Sequence, residues 1–178
     1  MTLSSVKALL QSASIPFTEM EFANEADFLK HIFQNAYTKN TKDHKFYALI
    51  IESNNGKKSM ELEFEEQNGE YGFRDLWFGD FCFEFFNGYI DDNVLLEEIQ
   101  DIMGGNQAFI IVSTAKTNRW ISDARYDLSD KDNDMFSEVG FHKAMKRIQK
   151  NKTFFEKLFG FSRRYEIYDW NAYECIVK

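Results

Sequence analysis

From Met60 to Arg74 the chain reads MELEFEEQNGEYGFR, and this stretch constrains the fold more than any other. Glutamate and large apolar residue alternate at the period of a β-strand. Leu62 and Phe64 fall on one face, and Glu61, Glu63 and Glu65 on the other. Asn68-Gly69 follows as the strongest short hairpin signal in the chain, because a two-residue turn needs left-handed backbone that these residues adopt readily. A turn centred there sets Phe64 opposite Phe73 and Glu63 opposite Arg74, an aromatic pair on one face and a charge pair on the other.

Other segments add elements around this hairpin. Val6, Leu9 and Leu10 predict a short opening helix with Ser4 as its cap, and residues 15–22 a brief extended segment. Asn24 caps a second helix with Phe28, Leu29, Ile32, Phe33, Ala36 and Tyr37 on one wide face. Lys45–Glu52 and Gln107–Thr114 are near-continuous apolar runs of strand formers, the pattern of central strands covered on both sides. Leu76–Phe86 continues as strand, broken or bulged at Gly79. Asp91 or Asp92 caps a helix carrying Leu95, Ile99, Ile102 and Met103 and ending at Gly104-Gly105. Trp120–Leu128 alternates and belongs at or near a sheet edge. Phe141, Met145 and Ile148 mark a basic helix, Thr153 and Glu156 a capping box for another, and Arg163–Trp170 a last strand, with room for one more in the tail. These elements predict an α+β fold. It is one domain over residues 1–178, mainly antiparallel twisted β-sheet of six or seven strands with four or five packed helices.

The chain has 178 residues, enough for a substantial core. Its 19 Phe, 8 Tyr and 3 Trp against a single proline favour sheet over other architectures. No run approaches the length of a membrane-spanning helix, and Met1–Gln11 lacks the pattern of a secretory signal, so a cytoplasmic chain is expected. In that compartment Cys82 and Cys175, each among apolar neighbours, read as two buried free thiols. The net charge of -8 is uneven. Residues 1–90 carry 14 acidic and 8 basic side chains, residues 91–138 carry 11 and 4, and residues 139–178 carry 4 and 9. An acidic body repels a phosphate backbone and steers a basic partner inward, so direct nucleic-acid binding is not expected of the domain as a whole.

Catalytic patterns are missing from the sequence. His31, His44 and His142 stand apart, outside any zinc-type spacing. Asp130, Asp132 and Asp134 resemble the start of a calcium loop, but Met135 stands where the turn needs glycine and Phe141 where a bidentate glutamate is required. Asp80 and Glu84 could share a strand face as a hydrolase pair, without a nearby lysine to hold phosphate. No glycine-rich phosphate loop opens a helix. The chain is therefore expected to be no enzyme and to hold no metal or cofactor. His142–Arg164, where lysine and arginine interleave with Phe154, Phe155, Phe159 and Phe161, is the one candidate for nucleic acid or an anionic surface.

WFGDFCFE at 77–84, NRW at 118–120, FFEKLFG at 154–160 and YEIYDW at 165–170 resemble pieces of bacterial immunity proteins. They are similar to those paired with the nuclease toxins of contact-dependent growth inhibition systems. The resemblance runs from about residue 45 to the end. It implies a small cytoplasmic α/β protein that binds and neutralises one cognate toxin, in some members by accepting a toxin β-hairpin at a sheet edge. Nuclease toxins need cationic surfaces, so an acidic inhibitor would match one electrostatically. On that reading Glu61, Glu63, Glu65, Asp91, Asp92, Asp123 and Asp127 are the candidate partner contacts, with a wet strand face as the alternative role for the glutamates.

Overall fold

A computed structural model describes residues 1–32, 44–83, 90–127 and 160–177. The chain divides into two compact units, Met1–Gln100 and Asp101–Lys178. The first contains α1 (Leu3–Ser12), β1 (Thr18–Phe22), α2 (Glu25–Ile32), β2 (Phe46–Ile51), β3 (Met60–Gln67), β4 (Glu70–Phe78) and β5 (Phe81–Phe83). Helix α3 (Asp92–Met103) spans the boundary, and β6 (Gln107–Thr114), β7 (Trp120–Asp127), β8 (Arg163–Tyr168) and β9 (Tyr173–Val177) follow.

The architecture is α+β, but the strands form two antiparallel sheets where one was expected, ordered β1-β2-β3-β4-β5 and β7-β6-β8-β9. Nine strands are described, more than the six or seven expected, because residues 18–22 and the tail both pair. Three helices lie among the described residues, against four or five expected. The two helices expected over 141–148 and 153–159, the calcium-like loop and most of the basic segment 142–164 fall outside the described residues.

In the first sheet, paired residues share a face, so the registers sort its side chains. Leu49, Leu62, Phe64, Leu76 and Phe78 lie on one side and are fully buried. Helix α1 packs there with Val6 and Leu10 buried, and Lys7 reaches Glu19 and Tyr47. Its cap is Thr2 rather than Ser4, in a reciprocal box. Thr2 Oγ1 accepts the Ser5 N–H and Ser5 Oγ accepts the Thr2 N–H. On the other face Phe46, Ala48 and Ile50 pack with Phe22 and with Phe28 of α2, and Leu29 borders them. Asn24 caps α2 as expected, accepting the Asp27 N–H at 3.0 Å. Phe28 stacks on Phe46 with ring centroids 4.6 Å apart and meets Phe22 edge-on at 5.4 Å. This trio closes α2 onto the sheet.

The Asn68-Gly69 turn forms the expected β3–β4 hairpin, both residues with positive φ, and Phe64 pairs with Phe73. Their rings meet edge-on at 5.6 Å. Glu63 does not face Arg74. The register shifts between Glu63 and Phe64, and Glu63 faces Asp75. Arg74 is the extra residue of a β-bulge. Its guanidinium lies over the Phe46 ring, 5.4 Å from the centroid, and its Nε bonds Asp75 at 3.2 Å.

In the second sheet β6 is central, as its apolar run requires, and every residue from Gln107 to Ser113 is buried. Ile110 and Val112 form one face with Tyr165 and Ile167, and Ile121 and Ile176 border them. The opposite face carries Phe109 stacked on Tyr168 at 5.6 Å. The cysteines are free, but not both buried as expected. Cys82 is half-buried, and Cys175 is exposed on β9, an edge strand with no described strand on its outer flank. No described helix is long and apolar enough to cross a membrane.

Replacing Phe28 by alanine removes a buried ring from the α2 contact and should cost about 3–5 kcal/mol in urea unfolding. Val94→Ala, at an exposed position of α3, should stay within about 0.5 kcal/mol. Comparable losses in the two variants would show that the aromatic trio does not hold α2.

Candidate functional site

The three glutamates of β3 lie on the face of the sheet that α2 covers, because they pair with Ile50, Ala48 and Phe46 of β2. The outer two each meet a histidine, and the middle one does not. Glu61 Oε2 lies 3.0 Å from His31 Nε2 of α2, and the His31 ring packs 5.1 Å from Phe22. Glu65 Oε1 lies 2.9 Å from His44 Nδ1. Glu63, between them, is 1% exposed, and its Oε1 has no hydrogen-bond partner among the described residues. The wet strand face is therefore not what the structure has at Glu63.

The electrostatics of Glu63 follow from this placement. Burial, and then the Asp75 carboxyl opposite it, push its pKa up to about 9. The Trp77 indole and Arg74 pull the other way without offsetting them. Burial also raises Asp75, against the pull of Arg74. At neutral pH Glu63 is a neutral acid. Sealed from solvent, it has titration as its chemistry rather than contact with a ligand.

The remaining candidate contacts are divided between the two units. Asp91 and Asp92 are exposed at the start of α3. Asp91 is the cap, its Oδ1 accepting the N–H groups of Asn93 and Val94 at 2.9 Å. Asp123 is exposed on β7, in the second unit. Asp127 closes β7, and its side chain is outside what the structure describes. Asp80 is paired with Lys58, and Glu84 lies outside the described residues. Among the described residues no three His, Cys, Asp or Glu side chains are grouped to hold a metal. Of the basic segment only its end is described. There Arg163 is buried and Arg164 Nη2 bonds Glu166 Oε1 at 2.9 Å.

The strand that does present carboxylates outward is β1, which reads TEMEF. It is an edge of the first sheet, with no described strand on its outer flank. Thr18, Glu19, Met20 and Glu21 are all exposed, and Met20 is 39% exposed. Glu19 and Glu21 project to one face, beside Leu49 and Tyr47. The Lys7 ammonium at 2.7 Å, and then the Tyr47 hydroxyl, hold the Glu19 carboxyl below its ordinary range. Tyr71 donates to Glu21 at 3.0 Å, and burial followed by that bond pushes its phenol up to about 12. Glu25 and Asp27 continue the acidic run into the first turn of α2. The alternation of TEMEF was a signal for these residues in the sequence, but nothing local distinguishes an edge strand from a central one.

No protein-family model matches the chain, and neither a curated protein nor a solved structure is significantly similar to it.

The raised carboxyl of Glu63 has a definite sign in stability. Between its ordinary value of 4.5 and about 9 the folded chain holds a proton that the unfolded chain has released. Stability should therefore fall as pH rises through that window, by up to about 1.4 kcal/mol per pH unit. Glu63→Gln keeps the shape and removes the titration. Melting curves from pH 5 to pH 9 should show the variant level with or slightly below the parent at the acid end and above it at the alkaline end. Parallel profiles would mean that Glu63 is ionised in the fold.

Proposed function

We propose that the chain is an immunity factor that binds and neutralises a cognate basic toxin, receiving an extended cationic segment along β1. The observation that carries this reading is the open acidic edge. The five-residue strand has no described strand on its outer flank and carries four exposed side chains, two of them glutamates. Main-chain groups on such a flank supply affinity for an added strand, while Glu19 and Glu21 select for lysine and arginine. The net charge of -8 speeds the approach of a cationic partner. The likeness of 77–84, 118–120, 154–160 and 165–170 to immunity proteins gives the partner its class, a nuclease domain with a phosphate-binding surface.

In this role the protein acts stoichiometrically in the cytoplasm, as no enzyme and without a cofactor. The contact surface moves from Glu61, Glu63 and Glu65 to Glu19, Met20 and Glu21. The β3 glutamates support the strand order from within.

The test is co-purification of the tagged full chain with the basic protein encoded beside it, followed by size-exclusion chromatography and a growth assay of toxicity. A one-to-one complex that restores growth is expected. Glu19→Lys with Glu21→Lys should weaken binding by about tenfold or more, whereas Glu61→Gln should leave it unchanged. Glu21→Lys alone spares the Lys7 contact and should retain the parent circular dichroism while still weakening the complex. Undiminished binding by both folded edge variants would refute the β1 assignment.

A further inference from the structure

The second unit carries the opposite chemistry at one end of its sheet. There the β6–β7 turn is tightly built. The Thr114 N–H donates to the Arg119 carbonyl and the Asn118 N–H to the Thr114 carbonyl, each at 2.9 Å. Thr114 Oγ1 accepts the Arg119 N–H and lies 2.6 Å from Thr117 Oγ1. Asn118 takes the left-handed conformation that closes the turn. The Ala115 N–H donates to the Ser162 carbonyl at 3.0 Å, which ties the turn to the segment entering β8.

This turn holds two cations and an indole in the open. Lys116 and Arg119 are exposed and form no ion pair with a described residue. Trp120 is 57% exposed and Phe161 56% exposed, unusual values for large aromatic rings. The registers set Trp120, Ser113, Arg164 and Val177 in one row across the four strands. Trp120 and Arg164 are thus two strands apart, about 10 Å. Arg164 is held in place by Glu166. An exposed planar face flanked by cations that pair with no described residue complements a ligand that has planar faces and negative charge in alternation.

We propose that this end of the second sheet is a binding site for single-stranded nucleic acid, with a base stacked on Trp120 and its phosphates met by Lys116, Arg119 and Arg164. The site is short. Asp123 stands on the next row of the same face, and the body of the chain is acidic. Binding therefore covers a few nucleotides and requires the stack as well as the charges. Three phosphate contacts give a salt dependence with a slope of about -2 in log K against log salt. The site lies apart from β1 in the chain and does not rest on the immunity reading.

The test is fluorescence anisotropy of labelled oligothymidylate and oligouridylate, about ten nucleotides long, titrated with the full chain at about 50 mM salt. Saturable binding is expected. Trp120→Ala should weaken it about tenfold, and Lys116→Glu with Arg119→Glu should weaken it at least as much and flatten the salt slope. Lys57→Glu, an exposed lysine of the first unit, is the control for net charge and should leave binding near the parent level. The altered side chains are exposed, so circular dichroism should be unchanged. Three outcomes would overturn the proposal: no binding at low salt, equal losses in Lys57→Glu and the turn variant, or a Trp120→Ala variant that binds as the parent does. Binding to phosphatidylglycerol vesicles instead of either oligonucleotide would overturn it in favour of a lipid headgroup.

Discussion

One extra residue in the β3–β4 hairpin decides how the first sheet is used. A regular ladder would set Glu63 against Arg74 and leave an ion pair on that face. The bulge sends Arg74 over the Phe46 ring and brings Asp75 opposite Glu63. Burial of Glu63, and then the Asp75 carboxyl facing it, oppose its ionisation and keep it protonated. Glu61 and Glu65, on either side, are met by His31 and His44, which come from outside the hairpin. The row of glutamates is thereby consumed in joining β3 to its neighbours.

The same residue type does different work according to strand position. On β3, with partners on both flanks and α2 on the same face, glutamates are covered and paired or neutral. On β1, with no described strand on one flank, Glu19 and Glu21 remain exposed and bond Lys7 and Tyr71. Edge strands usually carry charges that discourage unwanted pairing. Charges of one sign make that discouragement selective, because a cationic strand meets attraction where an acidic one meets repulsion. The second sheet repeats the contrast in reverse sign, with exposed cations and an exposed indole at the β6–β7 turn.

Much of the fold was legible because it rests on local rules. Asn68-Gly69 can take left-handed backbone, so the hairpin and the Phe64–Phe73 pair could be read directly. The apolar runs of β2 and β6 marked central strands, since both faces of each are covered. Asn24, and Asp91 or Asp92, could be read as caps from their place before apolar periodicity. The bulge was not legible, because a one-residue shift leaves composition and turn untouched. The division into two sheets was also hidden, since the pairing of β8 with β6 joins residues some fifty positions apart. The exposure of Cys175 followed from the same cause. Its apolar neighbours look like core until β9 is known to be an edge.

The amino-acid sequence alone determined the alternations, the turn, the caps and the acidic balance, because each depends on neighbours within a few residues or on composition. It determined that glutamates would line one face of β3, though not what would face them. Tertiary structure decided which strands became edges, which carboxylates were covered, and which cations stayed exposed. Those outcomes depend on strand order and on the placement of a single bulge, and both are set by packing between segments distant in the chain.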